Sequence, residues 1–119
     1  MSKFFKGLVA VSALSVAGLA SAASWPERPV QWVVPYAAGG GSDVIARLVA
    51  AELQKKLGQN LIVENKPGAG TIIGATFIQQ SKPDGYIVGT ADSGTLAYNP
   101  SLYSKLQYDP AKFTYIGGL

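Results

Sequence analysis

The chain has 119 residues, no cysteine and no histidine, and its ten basic and seven acidic residues give a net charge of +3 at pH 7. Without histidine and cysteine, neither a Ser-His-Asp triad nor a Cys-His pair can form, and the usual nitrogen and sulfur metal ligands are missing. The basic residues are scattered, and no basic stripe indicates nucleic acid. We therefore expect no enzyme activity, no metal, no cofactor and no nucleic-acid partner.

The first 22 residues are typical of a secretory signal peptide. Lys3 and Lys6 precede an apolar stretch, residues 7–19, and the small-residue cleavage site Ala20-Ser21-Ala22. The apolar stretch is shorter than the roughly 18 to 20 residues that a membrane span needs. The sequence therefore predicts export to the periplasm and a mature chain, residues 23–119, that is long enough for one small domain at most.

A strand and a helix are predicted at the start of the mature chain. Residues 30–34 are apolar on both faces, as in a buried parallel strand. The helix is expected to start near Ser42 or Asp43, either of which can cap it, and to end at Leu57, where Gly58 supplies a left-handed stop. The predicted apolar stripe of this helix consists of Ile45, Leu48, Val49, Leu53 and Leu57.

The rest of the chain repeats the alternation of strand and helix. The predicted elements are a strand at 61–63, a helix at 71–80 with Ile72, Ile73, Ala75 and Phe77 as buriable positions, a strand at 86–90, a short helix from 96 to 98 that breaks near Pro100, and a fourth strand at 113–116. This order implies right-handed crossovers, and it predicts an α/β fold with a parallel sheet and helices on both faces.

Three loops follow the three predicted strands: the first loop, residues 36–43, the second loop, residues 67–71, and the third loop, residues 91–95. In parallel α/β sheets, ligands bind beyond the carboxyl ends of the strands, where these loops lie. The first two are rich in glycine and precede predicted helices, whose unpaired amides and dipole favour an anion. A carboxylate is the simplest such anion. The alternative interpretation is that the glycines serve tight turns and that Asp43 is only a helix cap.

Five motifs carry a resemblance to a known family. They are Trp25-Pro26, residues 35–43 with Ala46-Arg47, Leu57-Gly58-Gln59, residues 63–70, and Pro83-Asp84-Gly85-Tyr86. In these the chain resembles the Bug family, the extracytoplasmic substrate-binding proteins of tripartite tricarboxylate transporters. The resemblance implies a monomeric, two-lobed receptor that closes on a small carboxylate, such as a dicarboxylate, tricarboxylate, amino acid or aromatic acid, and delivers it to the membrane permease subunits. Residues 23–119 correspond to the first lobe of this periplasmic-binding-protein-like fold, which is therefore expected to be incomplete.

The resemblance also implies the ligand-binding residues. They are Tyr36, Ala37, Ala38, Gly39, Gly40, Gly41, Ser42 and Asp43 in the first loop, Gly68, Ala69, Gly70 and Thr71 in the second, and Ser93 and Thr95 in the third. Asp43 would fix the first loop. Thr71 stands where the family usually has a further glycine, and Tyr98, Tyr103, Tyr108 and Tyr115 are interpreted as packing residues.

Two other functions stay open at this stage. A nucleotide-binding enzyme fragment would need G-x-G-x-x-G after the first strand, yet Gly39-Gly40-Gly41 is followed by Val44 at the last glycine position. Export also argues against it. A non-functional, truncated remnant is the other alternative, because a sheet without its later strands leaves an open edge.

Overall fold

The computed structural model describes residues 24–119, so the predicted signal peptide lies outside the described residues. Three strands form one parallel sheet: β1, Val30–Val34, β2, Leu61–Asn65, and β3, Ile87–Gly89, in the order β2-β1-β3. Trp32 in the central strand pairs with Val63 of β2 and Val88 of β3. The sheet is parallel, as the sequence predicted.

Helix α1, Gly41–Leu57, covers one face of the sheet. It ends as predicted, because Gly58 adopts φ 68° and its amide donates to the Gln54 carbonyl at 3.0 Å. The predicted apolar stripe is wrong at two positions, since Ile45 and Leu48 are exposed. The helix instead buries its small residues, Ala46 and Ala50, against the sheet. Small side chains let the helix backbone approach closely, and this turns the larger ones outward.

Helix α2, Ile72–Gln80, packs on the opposite face, so the prediction of helices on both faces is confirmed. Gly74 shows how close this contact is, because a Cβ atom there would lie 2.7 Å from the Cβ of Pro35. Ile73, which was expected to be buried, is exposed. The helix begins one residue later than predicted because Thr71 has a left-handed backbone, with φ 77°.

The C-terminal elements differ most from the prediction. A wide helical turn, Gly94–Tyr98, closes with a bond from the Asn99 amide to the Gly94 carbonyl and continues into α3, Asn99–Leu102. Pro100 does not break this segment, because it stands in the first turn of α3, a position where proline is tolerated. Residues 113–116 are not a strand. Within residues 24–119, no helix is long and apolar enough to cross a membrane.

Candidate ligand-binding site

All three loops lie at the carboxyl edge of the sheet, as the sequence predicted. Beyond the strands, the amide of Lys66 donates to the Val34 carbonyl at 2.8 Å, and the amide of Thr90 donates to the Val33 carbonyl at 3.0 Å. The main-chain ladder therefore continues to the point where each loop begins. Because β1 is the central strand, the first loop leaves the sheet between the other two.

The first loop presents open backbone at the start of α1. Gly39 takes a left-handed φ of 83°, and the Gly40 amide closes a turn onto the Ala37 carbonyl at 3.3 Å. Gly40 is the N-cap and offers no side-chain cap, while residues 37–41 are exposed. The first amides of a helix have no partner inside it. Those of Gly41 and Ser42 are thus available to an acceptor from outside.

Asp43 is the buried acid of this loop, with only 3% of its surface exposed. Its carboxylate accepts from the Gly39 amide at 2.8 Å, from Asn65 Nδ2 at 3.0 Å and from Arg47 Nε at 3.0 Å. Asp43 does not cap α1 as its first residue. It stands in the first turn and reaches back to Gly39, the residue before the N-cap. The helix starts at Gly41, next to the predicted Ser42, but the predicted cap by Ser42 or Asp43 is wrong because Gly40 is the N-cap. Asp43 thereby fixes the loop.

The charge of Asp43 is held by its donors. Arg47 and the Gly39 amide, with a smaller contribution from Asn65, outweigh the cost of burial and lower the pKa of Asp43 to about 2 from an ordinary 3.8. The carboxylate is therefore ionised at neutral pH. Its negative charge points back to the Gly39 amide and is balanced by Arg47.

Asn65 is a structural residue of the site that sequence reasoning missed. Its Nδ2 donates to Asp43 and to the Tyr36 carbonyl, both at 3.0 Å, while its Oδ1 accepts from Arg47 Nη2 at 3.0 Å. One side chain at the end of β2 thus ties both ends of the first loop together. The signal in the sequence is an asparagine at the end of a strand, just before Pro67 and Gly68.

The second loop is strained. Four successive residues have positive φ: Gly68 at 123°, Ala69 at 49°, Gly70 at 59° and Thr71 at 77°. Glycine accepts this conformation, but for alanine and especially for a β-branched threonine it is unfavourable, at a cost of about 1–3 kcal/mol for each residue. Such strain is retained only where the surrounding structure imposes it. Thr71 is buried, whereas residues 67–70 are exposed.

The third loop supplies a partner to the second. The hydroxyl of Thr71 lies 2.7 Å from that of Thr95, which is fully buried, and the amide of Thr95 donates to Asp92 Oδ1 at 2.9 Å. Ser93 stays at the surface. The structure therefore brings Thr71 and Thr95 together and leaves Ser93 outside this contact.

Tyr36 connects the first loop electrostatically to the third. Its hydroxyl is buried, meets no partner at full hydrogen-bond geometry within residues 24–119, and faces Asp92 and Thr95. Burial and the nearby Asp92 carboxylate raise the pKa of Tyr36 to about 12. Burial opposes ionisation of Asp92, but Tyr36 and Thr95 outweigh it and hold the Asp92 pKa below its usual value. At neutral pH the site thus contains a neutral phenol beside an ionised carboxylate.

Asn99 and Tyr108 complete the buried polar cluster, and sequence reasoning missed both roles. Asn99 Nδ2 donates to the Gly70 carbonyl at 2.7 Å and to the Tyr108 hydroxyl at 3.1 Å, and that hydroxyl donates to the Thr95 carbonyl at 2.5 Å. Tyr108 is buried, as a packing residue would be, but its hydroxyl also bonds across the cluster. Tyr98, Tyr103 and Tyr115 are exposed.

A cavity of about 670 Å³ lies apart from this cluster, between α1 and the β3 side of the sheet. It is lined mainly by apolar side chains such as Trp32, Val49 and Val88, and Ser42 is its only candidate ligand-binding residue. An apolar lining gives a carboxylate nothing to bond, so the loops are the better site for an anion. Among the described residues, no group of acidic, histidine or cysteine side chains is arranged to hold a metal ion.

Comparison with known proteins defines the class first. The parallel α/β unit of this chain is shared with solved periplasmic binding proteins. One is periplasmic binding protein BugD, at 45% identity and a TM-score of 0.69, with 72% of this chain and 28% of that chain covered. Another is MatC from Rhodopseudomonas palustris with bound malate, at 42% identity and a TM-score of 0.68, with 71% and 29% covered.

The family follows from the sequence comparison. Residues 45–118 match the tripartite tricarboxylate transporter family receptor. A UPF0065 protein of Bordetella bronchiseptica is 44% identical over 100 residues, which are 84% of this chain and 30% of that protein. The chain belongs to the tripartite tricarboxylate transporter receptor family, and the resemblance to Bug proteins is confirmed. It spans about 30% of the length of this curated relative.

Proposed function

We propose that residues 23–119 form the first lobe of an extracytoplasmic solute-binding receptor that anchors one carboxylate of a small ligand for a tripartite tricarboxylate transporter. The observation that carries the proposal is the open first turn of α1 at the ligand edge. Gly40 has no side chain to cap the amides of Gly41 and Ser42. These donors and the positive end of the helix dipole therefore face any ligand bound at this edge of the sheet.

The charges around this turn favour a carboxylate. Asp43, the acid in the first turn of α1, turns its carboxylate toward Gly39 and is paired with Arg47, so it repels an incoming anion little. Glycine at positions 39–41 also leaves the backbone accessible, because a Cβ at Gly41 would meet no atom within 4 Å. A flat, two-oxygen acceptor suits two adjacent amides.

The family supports the wider role. Receptors of this family serve a transporter, and one solved relative contains malate. We propose that residues 1–22 direct export to the periplasm, that permease subunits take the ligand from the receptor, and that the protein acts without catalysis. The predicted ligand-binding residues of the three loops, including Ser93 at the surface, stay predictions until a ligand is mapped.

The test is a titration of the ¹⁵N-labelled chain with malate, followed through its backbone amide resonances. We expect weak binding, because one lobe leaves the ligand in contact with water, and hydrogen bonds to a charged group are worth less there. Chemical shift mapping detects weak binding. Malate should move the amide resonances of residues 39–42 first and those of residues 69–72 next.

The matched control is malamide, which has the same carbon skeleton with neutral amides in place of both carboxylates. Malamide should leave the first loop unchanged. Equal shifts with malate and malamide, or malate shifts confined to the apolar cavity beside α1, would contradict carboxylate binding at these loops.

A further inference from the structure

A directed chain of hydrogen bonds runs under the second loop. Thr95 Oγ1 donates to Asp92 Oδ1 at 3.1 Å, so the proton between the two threonine hydroxyls, 2.7 Å apart, comes from Thr71. The Thr71 oxygen is then free to accept, and it lies 3.3 Å from Asn99 Nδ2. The two hydrogens of this nitrogen also serve the Gly70 carbonyl at 2.7 Å and the Tyr108 hydroxyl at 3.1 Å, so the bond to Thr71 is the weak one and shares a hydrogen. Every donor points toward the Asp92 carboxylate, and bonds aligned in this way strengthen one another.

Asn99 is the first donor in this series of hydrogen bonds, and it also bonds to the backbone of the second loop. Only 5% of its surface is exposed. Its Nδ2 also donates to the Gly70 carbonyl at 2.7 Å. Gly70 is the residue between the two strained positions, Ala69 and Thr71. Asn99 therefore holds both the backbone and a side chain of the left-handed turn.

The left-handed turn needs contacts from outside the loop to keep its conformation. Ala69 and Thr71 adopt positive φ without the freedom of glycine, and Thr71, the N-cap of α2, makes no side-chain capping bond. Strained conformations persist where surrounding contacts impose them. In the described part of the chain, the contacts of Asn99 with Gly70 and Thr71 are of this kind, and they come from a residue 28 or 29 positions away.

We infer that Asn99 is a positioning residue, which holds the left-handed turn of the second loop and thus fixes the direction of its amide groups before a ligand arrives. The benefit to carboxylate binding rests on the proposed function. The holding itself does not, and it is measured on the chain without ligand.

The experiment compares Asn99→Asp with Asn60→Asp in the ¹⁵N-labelled 119-residue chain. The first substitution keeps the size of the asparagine side chain but removes the donor to the Gly70 carbonyl, while Asn60 is exposed and its substitution makes the same change in charge. Two measurements report on the turn: the intraresidue HN–Hα cross-peaks of residues 69 and 71, which are strong at positive φ, and the hydrogen exchange of amides 70–72. Exchange of the Trp32 amide in β1 reports global stability.

We expect Asn99→Asp to weaken both cross-peaks and to speed exchange of amides 70–72 by about ten-fold or more relative to Trp32. Asn60→Asp should change neither. Retained cross-peaks with unchanged relative exchange in Asn99→Asp would overturn the inference, and so would equal effects in the two variants.

Thr71→Gly separates holding from general packing. Glycine accepts positive φ unaided, so the turn should depend less on Asn99, and Asn99→Asp should change the exchange of amides 70–72 less in the Thr71→Gly background than in the parent chain. If Asn99→Asp alone unfolds the chain, the double variant should fold again. A double variant that stays unfolded, or an undiminished effect, would make Asn99 an ordinary core residue.

Malate titration of the same variants keeps the two proposals apart. If the turn is lost in Asn99→Asp and the parent chain binds no malate, the positioning role is supported and the proposed function is rejected. If the parent chain binds malate at the loops and Asn99→Asp keeps the turn, the proposed function is supported and the positioning role is rejected.

Discussion

The first and second loops reach the same edge of the sheet but are held there by different physics. In the first loop, glycine occupies the left-handed position, Gly39, and a buried charged group, Asp43, holds it. In the second loop, alanine and threonine occupy left-handed positions, and two neutral side chains, Asn99 of α3 and Thr95, bond to the loop. One loop is relaxed and held by charge, whereas the other is strained and held by neutral hydrogen bonds.

This difference predicts how each loop responds to the loss of one side chain. Hydrogen bonds to an ionised group are roughly twice as strong as neutral ones, so the Asp43 carboxylate makes the strongest bonds of the first loop, and Asn65 adds a neutral bond to the Tyr36 carbonyl. The neutral hold on the second loop is shared by Asn99 and Thr95, which bond to it directly, and Tyr108 bonds to both of these residues. A single substitution should therefore release the first loop more completely than the second.

Asp43→Ala should have the largest effect. It removes the buried acceptor that the Gly39 amide, Asn65 and Arg47 share, so three hydrogen bonds are lost at once. We expect the melting temperature to fall by about 5 °C or more for a domain of this size. Hydrogen exchange should accelerate at Gly39, while the amides of the second loop keep their rates.

The matched control for this prediction is Glu52→Ala. Glu52 is an acid on the same helix, but it is exposed, and its ion pair within residues 24–119 is with the exposed Lys55. Surface pairs of this kind contribute little, so the melting temperature should hardly move. An equal fall in melting temperature in the two variants would show that Asp43 contributes no more to stability than an exposed acid on α1.

The contrast between the loops also explains what the sequence could predict. The first loop follows from local chemistry: an apolar strand, glycines that accept any φ, and a helix that ends at Gly58. The contact from Gly39 to Asp43 spans four residues, whereas the bonds from Asn65 to Tyr36 and Asp43 span 29 and 22 residues and were not predicted. The strand order and the common edge follow from the alternation of strands and helices.

The hold on the second loop could not be predicted in this way. Asn99 and Tyr108 meet Gly70, Thr71 and Thr95 only after the chain has folded, and nothing in their own surroundings marks them. The positive φ of Ala69 and Thr71 contradicts the preference of both residue types, so local propensity predicted a helix start at 71 instead. The apolar stripe of α1 failed for a related reason, since small residues rather than Ile45 and Leu48 pack on the sheet.

Acid should distinguish the two loops with a smaller, reversible effect. The pKa of Asp43 is lowered to about 2 from 3.8, so its stabilising contribution is complete above pH 3.8 and is lost as the pH falls toward 2, where the unfolded chain binds the proton first. The free energy of unfolding of the parent chain should fall through this window. Asp43→Asn should show a shallower fall.

Urea unfolding at several pH values measures both slopes. The difference between them isolates Asp43 from the other carboxyl groups, including Asp92, whose pKa is also lowered. Exchange at Gly39 should rise through the same window more than exchange at Thr71. Parallel curves for the two proteins would show that the charge of Asp43 does not hold the first loop.

The amide of Gly41 offers the most direct test of carboxylate binding at the first loop. Gly41→Pro deletes this N–H at the first position of α1, where proline is well tolerated, and Gly40 already has the extended backbone, φ −74° and ψ 168°, that a residue before proline adopts. Gly41→Ala adds a side chain in the same open space but keeps the amide. Both variants should fold. In a malate titration followed by amide chemical shifts, Gly41→Ala should retain the response of the first loop and Gly41→Pro should lose it, whereas equal binding of malate by the two variants would contradict an anion site built from the first turn of α1.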